Sequence, residues 1–162
     1  DKGFLFDGRV SEDFKLSTGT WVNMAGVRGA LIRAFAPYVR DVVLTGLDRN
    51  HIGALLFLDP EAARRIAPEL AGASEAELAD SPVLREEFQK RLDALAAEST
   101  GSSTLVARAI VLDRPPSIDA SELTDKGSIN QRAVMAARAA LVEDLYAEPS
   151  PPHVLVARRP PR

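Results

Sequence analysis

The pattern of apolar and polar positions along the chain predicts several strands. Residues 41–46 and 52–58 are rich in β-branched and aliphatic side chains, and the polar turn between them predicts an antiparallel hairpin. Residues 105–112 have the same character and predict a third long strand. Two shorter strands are expected near the N-terminus, over residues 4–7 and 13–16.

Apolar residues that recur at spacings of three and four predict amphipathic helices between these strands. The expected helices cover about residues 23–38, 60–70, 82–97 and 131–146, and residues 71–82 are expected to include a further helical turn. Asp59 and Asn130 stand where N-caps are expected, because their side-chain oxygens can accept from the free N–H groups of a first helical turn. Pro60 suits that first turn, since its missing N–H is not needed there.

The order of these elements favours an α+β fold, with a small antiparallel or mixed sheet, an N-terminal strand pair and flanking helices. A chain of 162 residues fits one domain. We expect this domain to span residues 1–146 and to be followed by a weakly ordered, Pro- and Arg-rich tail over residues 147–162. Within that tail, residues 153–156 are apolar enough to add an edge strand instead.

Composition narrows the classes of partner and site. The formal net charge of −3 gives no reason to expect nucleic acid or an anionic membrane as a partner. The chain has no cysteine, which excludes disulfide and thiol chemistry, and its apolar runs are too short to span a membrane. No signal peptide is apparent. The lack of cysteine favours a cytoplasmic location, which we expect. His51 and His153 lack the spacing of metal ligands, and no metal site is expected.

Two polar segments carry the candidate chemistry. The first, GRVSEDFKLSTGTWV over residues 8–22, has the pattern of a strand, a charged joint, a second strand and a glycine turn. The second, ELTDKGSINQR over residues 122–132, is a polar loop that leads into a helix. In this loop Lys126 stands beside Gly127, which permits close backbone approach, so the ammonium group can reach an anion on another surface. Taken alone, the segment favours the simpler interpretation of Lys126 as a solvated loop residue.

Other residues in and near these segments have simple structural interpretations. Trp21 is expected to pack the glycine turn onto the core rather than to contact a substrate. Lys15 could be a solvated strand residue, and Arg9 could form a surface ion pair, which is usually worth about 0–1 kcal/mol. Asp48 and Arg49 are expected to be exposed residues of the turn between the two hairpin strands.

Together the two segments resemble the C-terminal domain of adenylate-forming, AMP-dependent acyl-CoA synthetases, and the first looks closest to feruloyl-CoA synthase-like ligases. The resemblance implies the mobile lid of a larger ligase, and the first residue, Asp rather than Met, agrees with an excised piece. The full-length enzyme would use ATP, Mg²⁺ and CoA to convert a small carboxylic acid, such as the aromatic acid ferulate, into an acyl-adenylate and then an acyl-CoA thioester. Its N-terminal adenylation domain would be the partner of this chain. Alone, the chain is expected to be inactive and to bind none of these cofactors tightly.

The resemblance also implies roles for individual residues. Lys126 corresponds to the catalytic lysine that contacts the substrate carboxylate and the nucleotide phosphate during adenylation, although it precedes its glycine where the family usually has the reverse order. Arg9 corresponds to the arginine that helps bind the ribose hydroxyls. Ser11 and Glu12 are the expected hinge, with Ser11 in place of the usual aspartate. The face that serves thioesterification would consist of Lys15, Thr18, Gly19 and Thr20.

Two alternatives stay open at this point. The chain could be a non-catalytic α+β module for binding or dimerisation. It could also be the lid of an adenylating enzyme that transfers its acyl group to a carrier protein instead of CoA, because the first segment does not separate these two acceptors.

Overall fold

A four-stranded mixed sheet forms the centre of the computed structural model, which describes residues 13–99, 101, 103–124 and 126–158. In chain order the elements are β1 (Phe14–Lys15), β2 (Trp21–Val22), α1 (Met24–Phe35), β3 (Val39–Thr45), β4 (Ile52–Leu58), α2 (Pro60–Arg64), a 3₁₀ turn (Pro68–Leu70), α3 (Glu75–Asp80), α4 (Pro82–Glu98), β5 (Val106–Val111), α5 (Gln131–Ala137), α6 (Ala139–Asp144) and β6 (Val154–Val156). The strand expected over residues 4–7 lies outside the described residues.

The sheet has the strand order β3-β4-β5-β6, and β1 pairs only with β2 in a separate short hairpin. β3 and β4 form the predicted antiparallel hairpin. The next pair, β4 and β5, is parallel, and the helices α2 to α4 make the crossover that a parallel pair requires. The fold is therefore α+β with a small antiparallel pair and a mixed sheet, as the sequence predicted.

Local sequence signals account for most of the helix starts. Asn23, Asp59, Ser81 and Asn130 each accept a hydrogen bond from a backbone N–H of the first turn of the helix that follows. Two helices end earlier than expected. α1 stops at Phe35, where Ala36 is extended and Pro37 follows. The helix expected over residues 60–70 is an α-helix only to Arg64, and a separate 3₁₀ turn covers Pro68–Leu70.

The predicted last helix is broken into α5 and α6 at Arg138, whose backbone (φ −118°, ψ 35°) is not helical. The side chain of Arg138 is turned towards Glu122 and Pro115 on the preceding loop. The sequence pattern did not indicate this break, because the apolar stripe continues across it.

Strand alternation divides the core into two layers, one on each face of the sheet. The first layer packs one face against α1 and α4 and includes the buried side chains of Leu31, Phe35, Val42, Leu44, Leu56, Phe88 and Leu92. The second layer packs the other face against α5 and the end of α6 and includes Val43, Leu55, Phe57, Ile110, Val134 and Leu145. Both faces of the central strands are therefore covered.

The sequence left residues 153–156 either in a weakly ordered tail or in an edge strand. The structure shows the edge strand, β6. Leu155 is opposite Ala109 of β5 and is buried in the first layer. From α4, Arg85 donates to the carbonyl of Pro152 (2.6 Å) and Gln89 to that of Val156 (2.8 Å). In the part of the chain that is described, no helix combines the length and apolar character that a bilayer crossing requires.

Candidate functional site

Lys126 lies at the tip of a narrow two-stranded turn. Leu123 and Ile129 form an antiparallel bridge below it, and the N–H of Thr124 donates to the carbonyl of Ser128 (2.8 Å). The turn closes through Gly127, whose N–H donates to the carbonyl of Thr124 (2.9 Å) and whose φ of +80° favours glycine. Lys126 therefore lies at the exposed end of this hydrogen-bonded turn.

The side chain of Lys126 is exposed. Its backbone N–H donates to Thr124 Oγ1 (3.3 Å), but its ammonium group pairs with no carboxylate among residues 13–99, 101, 103–124 and 126–158. An exposed cation on a fixed turn can meet an anion that another surface presents. Its catalytic role stays a prediction.

The second candidate surface is the β1–β2 hairpin. Phe14 is opposite Val22, and Lys15 is opposite Trp21. Because successive side chains of a strand point to opposite faces, Phe14 and Val22 enter the core while Lys15 and Trp21 point outward. The Lys15 Nζ atom lies 5.2 Å from the centre of the Trp21 ring, within reach of a cation–π interaction.

The tip of the hairpin contains Thr18, Gly19 and Thr20. Gly19 has φ +90°, and a Cβ atom placed there would meet no atom within 4 Å. Glycine is therefore needed for the backbone conformation and leaves the tip open. The hydroxyl of Thr18 donates to that of Thr20 (3.1 Å). The structure thus places Lys15, Thr18, Gly19 and Thr20 on one short hairpin, and their role as the thioesterification face stays a prediction.

The prediction that Trp21 anchors the turn on the core is wrong. Its side chain is 62% exposed, whereas Leu16 and Val22 are almost fully buried and hold the hairpin to the first layer. The reason is register: Trp21 alternates with Val22, and only one of two successive residues can face the core. Trp21 also borders an open groove of about 500 Å³ between α1 and the end of α4, which the sequence did not indicate.

The β3–β4 turn supports the hairpin from below. The N–H of Ser17 donates to the carbonyl of Arg49 (2.8 Å), and the N–H of Asp48 donates to that of Lys15 (3.1 Å). Arg49 is also more than the exposed turn residue that was expected, since it pairs with Glu143 and lies 4.6 Å from the centre of the Tyr146 ring. The β3–β4 turn therefore connects the β1–β2 hairpin to α6 and to Tyr146, which follows that helix.

The two candidate surfaces belong to different layers of the domain. Phe14, Leu16 and Val22 attach the β1–β2 hairpin to the first layer. Ile129 and Val134, which follow the Lys126 turn, pack in the second layer on the other face of the sheet. The structure does not bring Lys126 and the Lys15–Thr20 surface into one site. Arg9, Ser11 and Glu12 lie outside the described residues.

Three side chains near these surfaces have pKa values that the fold shifts. Hydrogen bonds from Arg138 hold the pKa of the Glu122 carboxyl below its ordinary value. Burial lowers the pKa of His51, whose ring lies 4.7 Å from that of Tyr146. Burial also raises the pKa of Tyr146, whose hydroxyl donates to the carbonyl of His51 (3.1 Å). Within the described ranges, no cluster of three or more His, Asp or Glu residues could hold a metal ion.

Comparison with known proteins gives the chain a family. Residues 13–150 match the family described as AMP-binding enzyme C-terminal domain. A long-chain-fatty-acid–[acyl-carrier-protein] ligase of Arabidopsis thaliana, AEE15, is 26% identical over 142 residues, which cover 88% of this chain and 18% of the plant protein.

Solved structures agree in fold. The A domain of a carboxylic acid reductase from Segniliparus rugosus, in complex with AMP and a co-purified carboxylic acid, has a TM-score of 0.62 at 23% identity and covers 85% of this chain. The adenylation domain of a carboxylate reductase from Mycobacterium chelonae has a TM-score of 0.59 at 22% identity and covers 86%. This chain spans 20% of each of those reductase chains.

Proposed function

The chain belongs to the family of AMP-binding enzyme C-terminal domains and is the C-terminal domain of an adenylate-forming enzyme, and we propose that it acts there as a mobile lid with two working surfaces. One surface carries Lys126 and serves adenylation of a carboxylic acid. The other carries Lys15, Thr18, Gly19 and Thr20 and serves transfer of the acyl group to a thiol. The nucleotide and the acid would bind to the N-terminal adenylation domain of the same polypeptide.

The exposed Lys126 ammonium at the tip of a hydrogen-bonded turn carries this proposal. When a carboxylate attacks the α-phosphate of ATP, negative charge builds on the phosphate oxygens before pyrophosphate leaves. A cation placed at that charge contributes about 3–4 kcal/mol, or 10²–10³ in rate. Lys126 can supply it because no carboxylate among the described residues already holds its charge.

Attachment of the two surfaces to opposite layers of the core supports alternation between them. A rigid domain whose two working surfaces lie apart must rotate as a body to present each of them to the same bound adenylate. Ser11 and Glu12, which precede β1, are the proposed hinge for this rotation. Arg9, beside them, is the proposed contact to the ribose hydroxyls of the nucleotide.

For the thiol acceptor we favour CoA, and for the substrate an aromatic acid such as ferulate, because the first segment resembles that branch of the family. ATP with Mg²⁺ would drive the adenylation. The second candidate is a carrier protein as acceptor, which the name of the plant relative favours. Incubating the full-length enzyme and its acyl-adenylate with CoA, or with a phosphopantetheinylated carrier, distinguishes the two by which acceptor becomes acylated.

The test of the lid proposal is Lys126→Ala in the full-length enzyme. Pyrophosphate exchange, which reports adenylation, should slow by about 10²-fold or more. Reaction of a supplied acyl-adenylate with the thiol should stay within about twofold, because that step uses the other surface. Lys90→Ala is the matched control, since Lys90 is an exposed lysine on α4. Equal losses in both half-reactions, or no loss in exchange, would refute the assignment of Lys126.

A further inference from the structure

A buried ion pair lies directly beneath the turn that carries Lys126. Arg138 donates from Nε to Glu122 Oε2 (2.8 Å) and from Nη2 to Glu122 Oε1 (3.0 Å), so that the guanidinium and the carboxylate meet through two hydrogen bonds. The side chain of Glu122 is 1% exposed and that of Arg138 is 11% exposed. Bidentate pairs of this kind fix geometry as well as charge.

Further contacts complete this clamp, which we define as Glu122 and Arg138. The N–H of Ser117 donates to Glu122 Oε1 (2.7 Å). Arg138 Nη2 also donates to the carbonyl of Pro115 (2.9 Å), and its guanidinium carbon lies 5.0 Å from the centre of the Phe57 ring. The clamp therefore joins the loop before the turn, the helix after it and the sheet below it.

The backbone of the same glutamate closes the base of the turn. The N–H of Asn130 donates to the carbonyl of Glu122 (2.8 Å), so the two strands of the turn meet four residues before and four residues after Lys126. Above this base the tip is exposed and is held by its own local hydrogen bonds, such as that between the hydroxyls of Thr124 and Ser128 (2.7 Å). The direction in which the tip points is thus set at its base.

We propose that Glu122 and Arg138 are positioning residues for Lys126, and that adenylation depends on them through the placement of its ammonium group. This inference rests on the proposed function of Lys126. Misplacement of a catalytic group by about 1 Å can cost on the order of 10² in rate. Loss of the clamp should therefore slow adenylation, while the Lys15–Thr20 surface, which is attached to the other layer, keeps its activity.

The experiment measures both half-reactions in the full-length enzyme with Arg138→Met, Arg138→Lys and Glu122→Gln. We expect Arg138→Met to lower kcat for pyrophosphate exchange about 10²-fold, with KM for the acid and the rate of thiol transfer within about twofold. Arg138→Lys should lower kcat for pyrophosphate exchange by less, because lysine keeps the positive charge but cannot form both hydrogen bonds to the carboxylate. In a Lys126→Ala background, Arg138→Met should cause no further loss of exchange, because a positioning residue acts only through the group that it positions.

Arg91→Met is the matched control. Arg91 likewise pairs with a glutamate, Glu87, donates to backbone carbonyls and lies 4.8 Å from the centre of an aromatic ring, that of Tyr38, but it belongs to the layer of α1 and α4. Its loss should lower the melting temperature without a selective effect on adenylation. If Arg138→Met prevents folding, the positioning role is tested by whether Arg138→Lys and Glu122→Gln slow pyrophosphate exchange selectively, compared with Arg91→Met.

Three results would overturn the positioning role: equal losses in both half-reactions, a full further loss in the Lys126→Ala background, or the same selective loss in Arg91→Met. These results are distinct from failure of the proposed function. If Lys126→Ala itself leaves exchange unchanged, the function assigned to Lys126 fails. If Lys126→Ala slows exchange while all three clamp variants exchange normally, only the inference about Glu122 and Arg138 fails.

Discussion

Gln131 offers a test of how the helix after the Lys126 turn is attached to the sheet. Its side chain is 5% exposed and lies along the edge strand β3. The side-chain oxygen accepts from the N–H of Leu44 (3.2 Å), and the side-chain amide donates to the carbonyl of Val42 (3.1 Å). One amide thus does for this edge what a neighbouring strand would do.

Replacing this amide by an apolar side chain of similar length, in Gln131→Met, leaves both β3 groups without a partner. Each buried unpaired group costs about 1–3 kcal/mol, so the free energy of unfolding should fall by about 2–6 kcal/mol. In a domain of this size, each kcal/mol corresponds to about 2–4 °C in melting temperature. Because neither Met nor Gln titrates, this loss should be the same at pH 7.5 and at pH 5.

Gln131→Glu should behave differently at the two pH values. The ionised carboxylate still accepts from Leu44, but it faces the carbonyl of Val42 without a proton to donate, and burial penalises its charge. Its pKa in the folded state therefore lies above that in the unfolded chain. As the pH falls, the folded state takes up the proton first, so the variant gains stability relative to the natural sequence. We expect a deficit of about 2–5 kcal/mol at pH 7.5 that shrinks to about 1 kcal/mol near pH 5.

The assay is chemical denaturation of the natural chain and both variants at the two pH values, followed by circular dichroism. The difference between each variant and the natural sequence removes the titration that they share. Two results would refute the buried bridge to β3. One is a loss of unfolding free energy in Gln131→Glu below about 0.5 kcal/mol. The other is a loss in Gln131→Glu that, like that of Gln131→Met, is the same at both pH values.

The core and the buried histidine give two further predictions. Phe88→Ala should lower the free energy of unfolding by about 3–5 kcal/mol, because its ring is fully buried and lies 5.0 Å from that of Phe35; a loss below about 1 kcal/mol in urea denaturation would contradict this packing. Because burial lowers the pKa of His51 from its ordinary 6.5, the unfolded chain binds the proton first as the pH falls. The melting temperature should therefore decrease as the pH is lowered past about 6.5. His51→Asn should remove the part of this decrease that comes from His51, and an unchanged dependence of the melting temperature on pH in the variant would contradict this explanation.

Local spacing in the sequence determined most of the secondary structure. The N-caps at Asn130 and Asp59, the β3–β4 hairpin and the apolar stripe of α4 all follow from residues a few positions apart, whose geometry the backbone itself sets. The segment with Gly19 and the segment with Lys126 and Gly127 were also recognisable, because a glycine at a positive φ and an adjacent cation are local features. The family match agrees with the resemblance of these segments to the C-terminal domain of adenylate-forming enzymes.

Tertiary structure alone decided which surfaces meet. Trp21 is exposed because the register of β1 with β2 assigns the inward position to Val22, and either register is compatible with the local sequence. Gln131 bonds to Leu44, 87 residues away. Arg138 pairs with Glu122 at the residue where the helix that the apolar pattern predicted to be continuous is broken. Contacts of this kind depend on how the layers pack in space, and apolar periodicity specifies which face of an element is buried but not which polar partner it finds there.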